Sequence, residues 1–99
     1  MRRLRYTEQA RADLRHIWFQ VIENGVSVAD SAIDRITSRC NRLIDFPESG
    51  PSRPRIASDV RIVVVERWVA VYRITPDGVQ IVRIVDGKRD LERLVLPPE

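Results

Sequence analysis

The sequence has few of the residues that build disulfides, metal sites and phosphate loops: one cysteine, one histidine and four glycines. A single cysteine, Cys40, excludes an internal disulfide and a cysteine-based metal cluster, which fits a reducing compartment. His16 has no second histidine with which to hold zinc, and the glycines are scattered at turns instead of forming a Gly-rich phosphate loop. We therefore expect no metal and no other cofactor.

Long apolar runs are also missing. No run approaches the roughly 20 residues needed to cross a bilayer, and the basic start has no apolar stretch behind it, so we expect neither a membrane span nor a signal peptide. The length of 99 residues fits one domain, 1–99.

Lysine is almost absent, because Lys88 stands alone beside 16 arginines. The 17 basic and 14 acidic residues leave a net charge of +3. Arginine binds phosphate and carboxylate through a planar fork, so this balance allows nucleic acid or an acidic protein segment as a partner. A genome rich in G and C explains the preference for arginine equally well.

Hydrophobic spacing divides the chain into helices first and strands later. Two helices joined by a short turn lie antiparallel as a helical hairpin, and tightly linked strands form an antiparallel meander. We therefore predict an α+β fold in which one face of the sheet covers the hairpin. The predicted elements are an edge strand at 2–6, a helix capped by Thr7 that ends at Asn24-Gly25, a second helix from Ser27 to Ile44, an irregular segment at 46–59, strands at 60–65, 68–74 and 79–85, and a short final helix at 90–96.

Two features of the sequence are candidates for binding surfaces. Phe19 lies off the apolar stripe of the first helix, alongside Ala12, which indicates either a contact surface or a site covered by another segment. The other feature is a set of arginines in the loop, the late strands and the tail, which forms either a phosphate-binding patch or a solvated face balanced by nearby acids. The residues alone favour the solvated face, and they indicate a small basic domain that is an interaction module or a nuclease. The arginines are Arg53, Arg55, Arg61, Arg67, Arg73, Arg83, Arg89 and Arg93.

Four segments, in this order, resemble the ParE/RelE toxin superfamily. The similarity spans nearly the whole chain, and it implies a RelE/ParE-like fold with an N-terminal strand and helical hairpin packed on a C-terminal antiparallel meander, followed by a short helix. The segments are 7–18, which resembles the first-helix pattern A-x-x-D-L-x-x-I with a following aromatic residue; 43–50, which resembles L…P-x-x-G; 71–74, which resembles Y-x-I; and 82–90, which resembles I-x-R-I-x-H-G-x-R-D.

The subfamily decides the chemistry that this resemblance implies. RelE-type members are ribosome-dependent mRNA endonucleases that often use a histidine or tyrosine near the C-terminus. Here Asp86 stands where a histidine often does, and the tail from Asp90 to Glu99 has neither residue. Arginine, with a pKa above about 12, is a poor proton shuttle. The sequence therefore resembles the ParE type, which poisons DNA gyrase, and we assign no catalytic residue. An mRNA endonuclease with a non-standard site and a non-toxic antitoxin-binding module remain alternatives.

The resemblance also implies a partner and two sets of contact residues. A ParD-like antitoxin, encoded beside the toxin, would fold an otherwise disordered segment onto it. We expect a cytoplasmic complex without membrane contact or sequence-specific nucleic-acid binding. The candidates for contact with the gyrase target are Arg83, Lys88, Arg89, Arg93, Arg53 and Arg55, and the candidates for antitoxin binding are Ala12, Phe19, Arg35, Arg39 and Arg61.

Overall fold

A computed structural model describes residues 2–94 and 96, without the side chains of Lys88 and Arg89. Two long helices form a hairpin on one face of a four-stranded sheet, so the predicted α+β class is confirmed. The predicted irregular segment contains a single 3₁₀ turn, Pro47–Ser49, and an isolated bridge at Ser52. Tail positions 95 and 97–99 lie outside the described residues. The elements are β1 (Arg3–Tyr6), α1 (Glu8–Val21), α2 (Val26–Asn41), β2 (Val60–Val65), β3 (Trp68–Thr75), β4 (Gly78–Asp86) and α3 (Gly87–Arg93).

The strands are ordered β1-β4-β3-β2 across the sheet. The meander of β2, β3 and β4 is antiparallel, and β1 is an edge strand, as predicted. The sequence did not predict that β1 pairs in parallel with β4, with Leu4 opposite Val79. A parallel pair needs a long crossover connection, and the helical hairpin supplies part of it. Gly78 permits this close pairing, because a Cβ there would lie 1.9 Å from the carbonyl oxygen of Arg3.

A side-chain cap fixes the start of α1, whereas the backbone conformation of a glycine fixes the start of α2. The Thr7 hydroxyl accepts a hydrogen bond from the Ala10 amide at 3.0 Å, which confirms the predicted cap of α1. The predicted start of the second helix at Ser27 was wrong, since α2 begins at Val26. Gly25, with φ of +114°, reverses the chain within one residue, so the helix starts before the polar side chain.

Two other predictions are corrected at the ends of helices. Helical spacing places Trp18 on the apolar stripe of α1 and so predicts a core position, but Trp18 is only half-buried, and its indole N–H donates to the Asp30 carboxylate at 2.8 Å. The final helix begins at Gly87 instead of Asp90 and ends at Arg93. It therefore continues directly from β4 and returns over the sheet.

Each face of the sheet has its own core, whereas the sequence predicted one covered face. Successive side chains of a strand point to opposite faces, so Val63 packs toward the hairpin and Ile62 packs away from it. The second face is covered by the loop before β2 and by α3. The buried residues on the hairpin side include Ala10, Ile17, Ile36, Cys40, Tyr72 and Ile81, and those on the other side are Val60, Ile62, Val69, Val71 and Val85, against which Ile56, Ala57, Leu91, Leu94 and Leu96 pack.

Burial of Cys40 predicts a loss of stability at alkaline pH. Burial raises the pKa of the Cys40 thiol from 9.0 to about 11. Because the folded pKa lies above the unfolded one, the stabilisation is complete below about pH 9 and is lost as the pH rises through 11. We expect this thiol alone to lower the free energy of unfolding by about 2 kcal/mol between pH 8 and pH 10.5 in urea titrations.

The matched variant is Cys40→Ala, which should show a smaller fall over the same interval. An equal fall in both proteins would assign the loss to groups other than Cys40, of which Tyr6 and Tyr72 are the candidates, because burial raises the pKa of both.

Candidate functional site

A groove of about 1020 Å³ lies on the sheet face opposite the hairpin. Its floor and walls are apolar, and charged side chains form its rim. The apolar residues are Ile56, Ile62, Val64, Val69, Leu91 and Leu94, and the charged ones are Arg53, Arg55, Glu66, Arg67, Asp86 and Glu92. The groove therefore combines apolar area with polar groups in the way that ligand-binding pockets do.

The arginines of the rim differ in whether their charge is already neutralised. Arg67 donates to both carboxylate oxygens of Asp86. Arg53 is exposed, and the hydrogen bond that its guanidinium donates within the described part of the chain goes to the carbonyl oxygen of Ser52, at 3.2 Å. Arg55 is exposed too. Among the described residues neither Arg53 nor Arg55 forms an ion pair. Their charge is therefore available to a partner.

A second, smaller cleft of about 330 Å³ separates α1 from α3. Arg83 and Arg93 line it together with His16. Arg83 is held in place: its Nε and Nη2 donate to the Asp13 carboxylate at 2.8 and 3.2 Å, and the Ile84 amide donates to the same group at 2.9 Å. Arg93 is exposed. In this cleft Arg83 therefore joins α1 to β4, and Arg93 is the exposed cation.

His16 lies off the apolar stripe of α1, which predicts an exposed side chain, and it is exposed. The sequence did not predict its position beside Arg83 and Arg93. Sequence spacing relates His16 only to other residues of α1. Its arginine neighbours come from β4 and α3, so only the packing of these elements brings the three together.

The six candidates for target contact thus divide into two surfaces with α3 between them. Arg53 and Arg55 belong to the groove, and Arg83 and Arg93 belong to the cleft. The backbone places Lys88 and Arg89 in α3, while their side chains fall outside the described part. Asp86 and Leu94, which stand at the two ends of α3, line both cavities, so a displacement of α3 would affect both surfaces.

The five candidates for antitoxin binding do not form one surface either. Ala12 and Phe19 lie on α1, where Phe19 is 67% exposed and meets Trp18 edge-on at 5.4 Å. Arg35 and Arg39 line a shallow depression on α2, and Arg35 also forms an ion pair with Glu66.

Arg61, the fifth of these candidates, points into the fold. Its Nη1 donates to the carbonyl oxygens of Gly50 and Glu48 at 2.8 and 3.2 Å, so it holds the loop before β2. Close by, the Tyr72 hydroxyl donates to Pro47 at 2.6 Å and accepts from the Gly50 amide at 3.0 Å. Burial raises the pKa of Tyr72. This tyrosine therefore acts as a clamp on the loop and is badly suited to proton transfer.

No helix within the described ranges has the length and apolar character that a membrane crossing requires. In the same ranges, no group of three or more histidine, cysteine and acidic side chains is placed to hold a metal ion.

Comparison with known proteins gives three agreeing results. Residues 4–91 match the family described as ParE toxin of type II toxin-antitoxin system, parDE. The chain is 36% identical over 92 residues to Toxin ParE3 of Caulobacter vibrioides, which covers 92% of each sequence. The solved structure described as the chromosomal ParDE TA system from P. aeruginosa superposes with a TM-score of 0.78 at 27% identity, over 89% of this chain and 98% of that chain.

Proposed function

Because the chain belongs to the ParE toxin family of type II toxin-antitoxin systems, we propose that it acts in the cytoplasm by inhibiting DNA gyrase, and that a ParD-like antitoxin neutralises it. The composition of the groove is the observation that favours gyrase inhibition over RNA cleavage. It presents the charges of Arg53 and Arg55, and no histidine or tyrosine lines it among the described residues. Such a surface can bind an anionic or protein target but is poorly equipped to move protons.

The outer side of the hairpin supports an antitoxin helix as one part of the interface. Phe19, Val26 and Val28 are large apolar side chains that are 67%, 57% and 43% exposed. An amphipathic helix covers such residues through its own apolar face. Arg39 on α2, which forms no ion pair among the described residues, would then meet an acidic residue of the antitoxin, which fits the positive charge of the toxin.

The cleft between α1 and α3 supports a second candidate function, a ribosome-dependent mRNA endonuclease. Histidine is the side chain best suited to proton transfer near neutral pH, and His16 shares the cleft with Arg83 and Arg93. This candidate is weaker because Arg83 is already bound by Asp13, which leaves Arg93 to hold a phosphate.

An experiment with purified proteins separates these functions. We expect the toxin to block supercoiling by gyrase and to leave cleaved plasmid, because it traps the enzyme on DNA. Primer extension on mRNA from expressing cells should show no new ends. The variant His16→Ala should inhibit gyrase as well as the parent does.

Two results would contradict the gyrase proposal. Codon-specific mRNA cuts that disappear in His16→Ala would establish the endonuclease instead. If neither gyrase nor mRNA is affected while the antitoxin still binds, the chain is a non-toxic binding module.

A further inference from the structure

An apolar depression lies at the end of the sheet where β3 turns into β4. Its volume is about 210 Å³. A cavity of about 150 Å³ in an apolar core holds a benzene ring, so this depression is large enough for one aromatic side chain. Its apolar lining includes Ile44, Pro47, Ile74 and Val79, and Arg2 is the charged residue of the lining.

Phe46 is exposed beside this depression. It lies between Ile44 and Pro47 in the chain, but it is not part of the lining, and its side chain is 65% exposed. Aromatic side chains contribute more than most residues to the energetics of interfaces, because they bury a large apolar area. The surface therefore carries an aromatic ring and, next to it, a depression that matches the ring in size.

Hydrogen bonds hold both features in place. Nη1 of Arg2 donates to the carbonyl oxygen of Ile44 at 2.9 Å, and the Tyr72 hydroxyl donates to the carbonyl oxygen of Pro47 at 2.6 Å. These bonds fix the chain on both sides of Phe46. A surface that is ordered before binding loses less conformational entropy in the complex.

Acidic side chains flank Phe46. Asp45 and Glu48 are exposed, and neither forms an ion pair among the described residues. Arg42, one helical turn earlier, is also exposed and has no ion pair in the same part of the chain. Two acids and one arginine leave the surroundings of Phe46 with a net negative charge.

The depression has the opposite charge. Arg2 forms no ion pair within residues 2–94 and 96. Arg5 and Asp77 near the same turn neutralise each other. Arg3 is exposed and pairs through its backbone with Gly78, another residue of the lining, so it adds positive charge. An aromatic ring between acidic residues is therefore attracted to this depression.

The chain itself supplies such a ring. In a two-fold symmetric dimer the same surface of both copies meets, and every contact is formed twice. Because Phe46 adjoins the depression, a two-fold axis between them brings each Phe46 to the depression of the other copy. The acids beside Phe46 then approach Arg2 of the other copy.

This contact lies far from α3. Gly78, at one end of β4, lines the depression, and Asp86, at the other end, precedes α3. The two ends are about 26 Å apart, since strands advance about 3.3 Å per residue. Two copies joined at the depression would therefore leave α3 accessible.

We propose that two copies of this chain form a symmetric dimer in which Phe46 of each copy enters the depression of the other. Each copy contributes one ring and one depression, so the interface is small, and interfaces below about 1,200 Å² belong to weak, transient complexes. We expect a Kd on the order of 100 µM. The inference concerns the toxin alone and stands whether or not gyrase is the target.

The first test removes the ring. Sedimentation equilibrium of the purified toxin should show a mass that rises from 11.5 kDa toward twice that value as the concentration increases. Phe46→Ala should dimerise at least about tenfold more weakly. The matched control is Phe19→Ala, which removes the other exposed phenylalanine and should dimerise like the parent.

The second test combines two variants that cannot dimerise alone. Ile74→Glu places a charge in the depression, at a position that is 43% exposed, and Phe46→Ala lacks the ring. In an equimolar mixture, Phe46 of the first variant can enter the intact depression of the second. The mixture should therefore associate more strongly than either variant alone, which also shows that both are folded.

The third test concerns the charges. Arg2→Asp should weaken the dimer several-fold, and Asp45→Arg in the same chain should recover most of that loss, because the two charges attract again after the exchange. Equal losses in the single and double variants would overturn the pairing of Arg2 with the acids beside Phe46.

Three results would overturn the dimer. The toxin could stay monomeric up to about 1 mM, ten times the expected Kd. Phe19→Ala and Phe46→Ala could weaken the association equally, or the mixture could associate no better than its components. If the toxin is monomeric and Phe46→Ala instead weakens antitoxin binding, the depression faces that protein and a second copy is the wrong occupant.

Discussion

Replacement of Asp13 by alanine should lower the free energy of unfolding by roughly 3 kcal/mol. The Asp13 side chain is 11% exposed and accepts hydrogen bonds from Arg83 and from the Ile84 amide. Its loss would leave the Arg83 guanidinium, which is 28% exposed, without its carboxylate and the Ile84 amide without an acceptor. Removal of one partner of a partly buried ion pair costs more free energy than the intact pair contributes. The reason is that the remaining partner keeps its charge in a partly desolvated position without compensation.

Urea denaturation at neutral pH measures this change, and two variants control it. Asp13→Asn keeps an acceptor oxygen for the Ile84 amide and should lose less than Asp13→Ala. Asp34→Ala removes an exposed carboxylate from α2 and should change stability by less than about 0.5 kcal/mol. If Asp13→Ala is as stable as Asp34→Ala, Arg83 is not held by this pair and becomes a stronger candidate for target contact.

The ion pair between Asp13 and Arg83 is a contact that the sequence did not predict. The two residues are 70 positions apart, and helical periodicity relates Asp13 only to neighbours on α1. From the sequence, Arg83 belonged to a run of cations near the tail. Only the packing of α1 against β4 brings the Asp13 carboxylate within hydrogen-bonding distance of the Arg83 guanidinium.

Features that depend on neighbours in the chain were predicted well. The Thr7 cap requires only an acceptor three residues before Ala10, and the stripes of α1 and α2 require only regular spacing. The meander followed from short strands joined by tight links. Each of these depends on a few adjacent residues, whose preferences add up locally.

The second face of the sheet could not be predicted in the same way. The sequence correctly indicated an irregular loop and a short final helix, but neither pattern states which face they cover. That choice depends on contacts such as Ile56 and Leu91 against the side of the sheet that carries Ile62. The groove forms only because these segments cover that face. The sequence alone therefore does not distinguish Arg53, which forms no ion pair among the described residues, from an arginine such as Arg67, which is paired with Asp86.

Charge reversal of Arg89 and Arg93 should abolish growth arrest while leaving the protein folded. α3 carries both residues between the groove and the cleft, and Arg93 is exposed beside His16. The proposed target works on DNA, so positive charge on this helix would attract phosphates or an acidic protein surface. Replacing both with glutamate changes the local charge by four units and turns attraction into repulsion.

Colony counts after induction measure toxicity, and antitoxin binding and thermal melting check the fold. Arg3→Glu with Arg11→Glu provides the matched control, because it makes the same change in net charge at exposed positions on β1 and α1; we expect it to kill like the parent. If the Arg89 and Arg93 variant still kills, the toxic surface lies elsewhere, with Arg53 and Arg55 as the next residues to reverse. If it loses antitoxin binding and thermal stability together, the two arginines hold α3 in place. Since Asp86 already binds Arg67, the carboxylate of Asp90 would then be the partner to test, by Asp90→Asn.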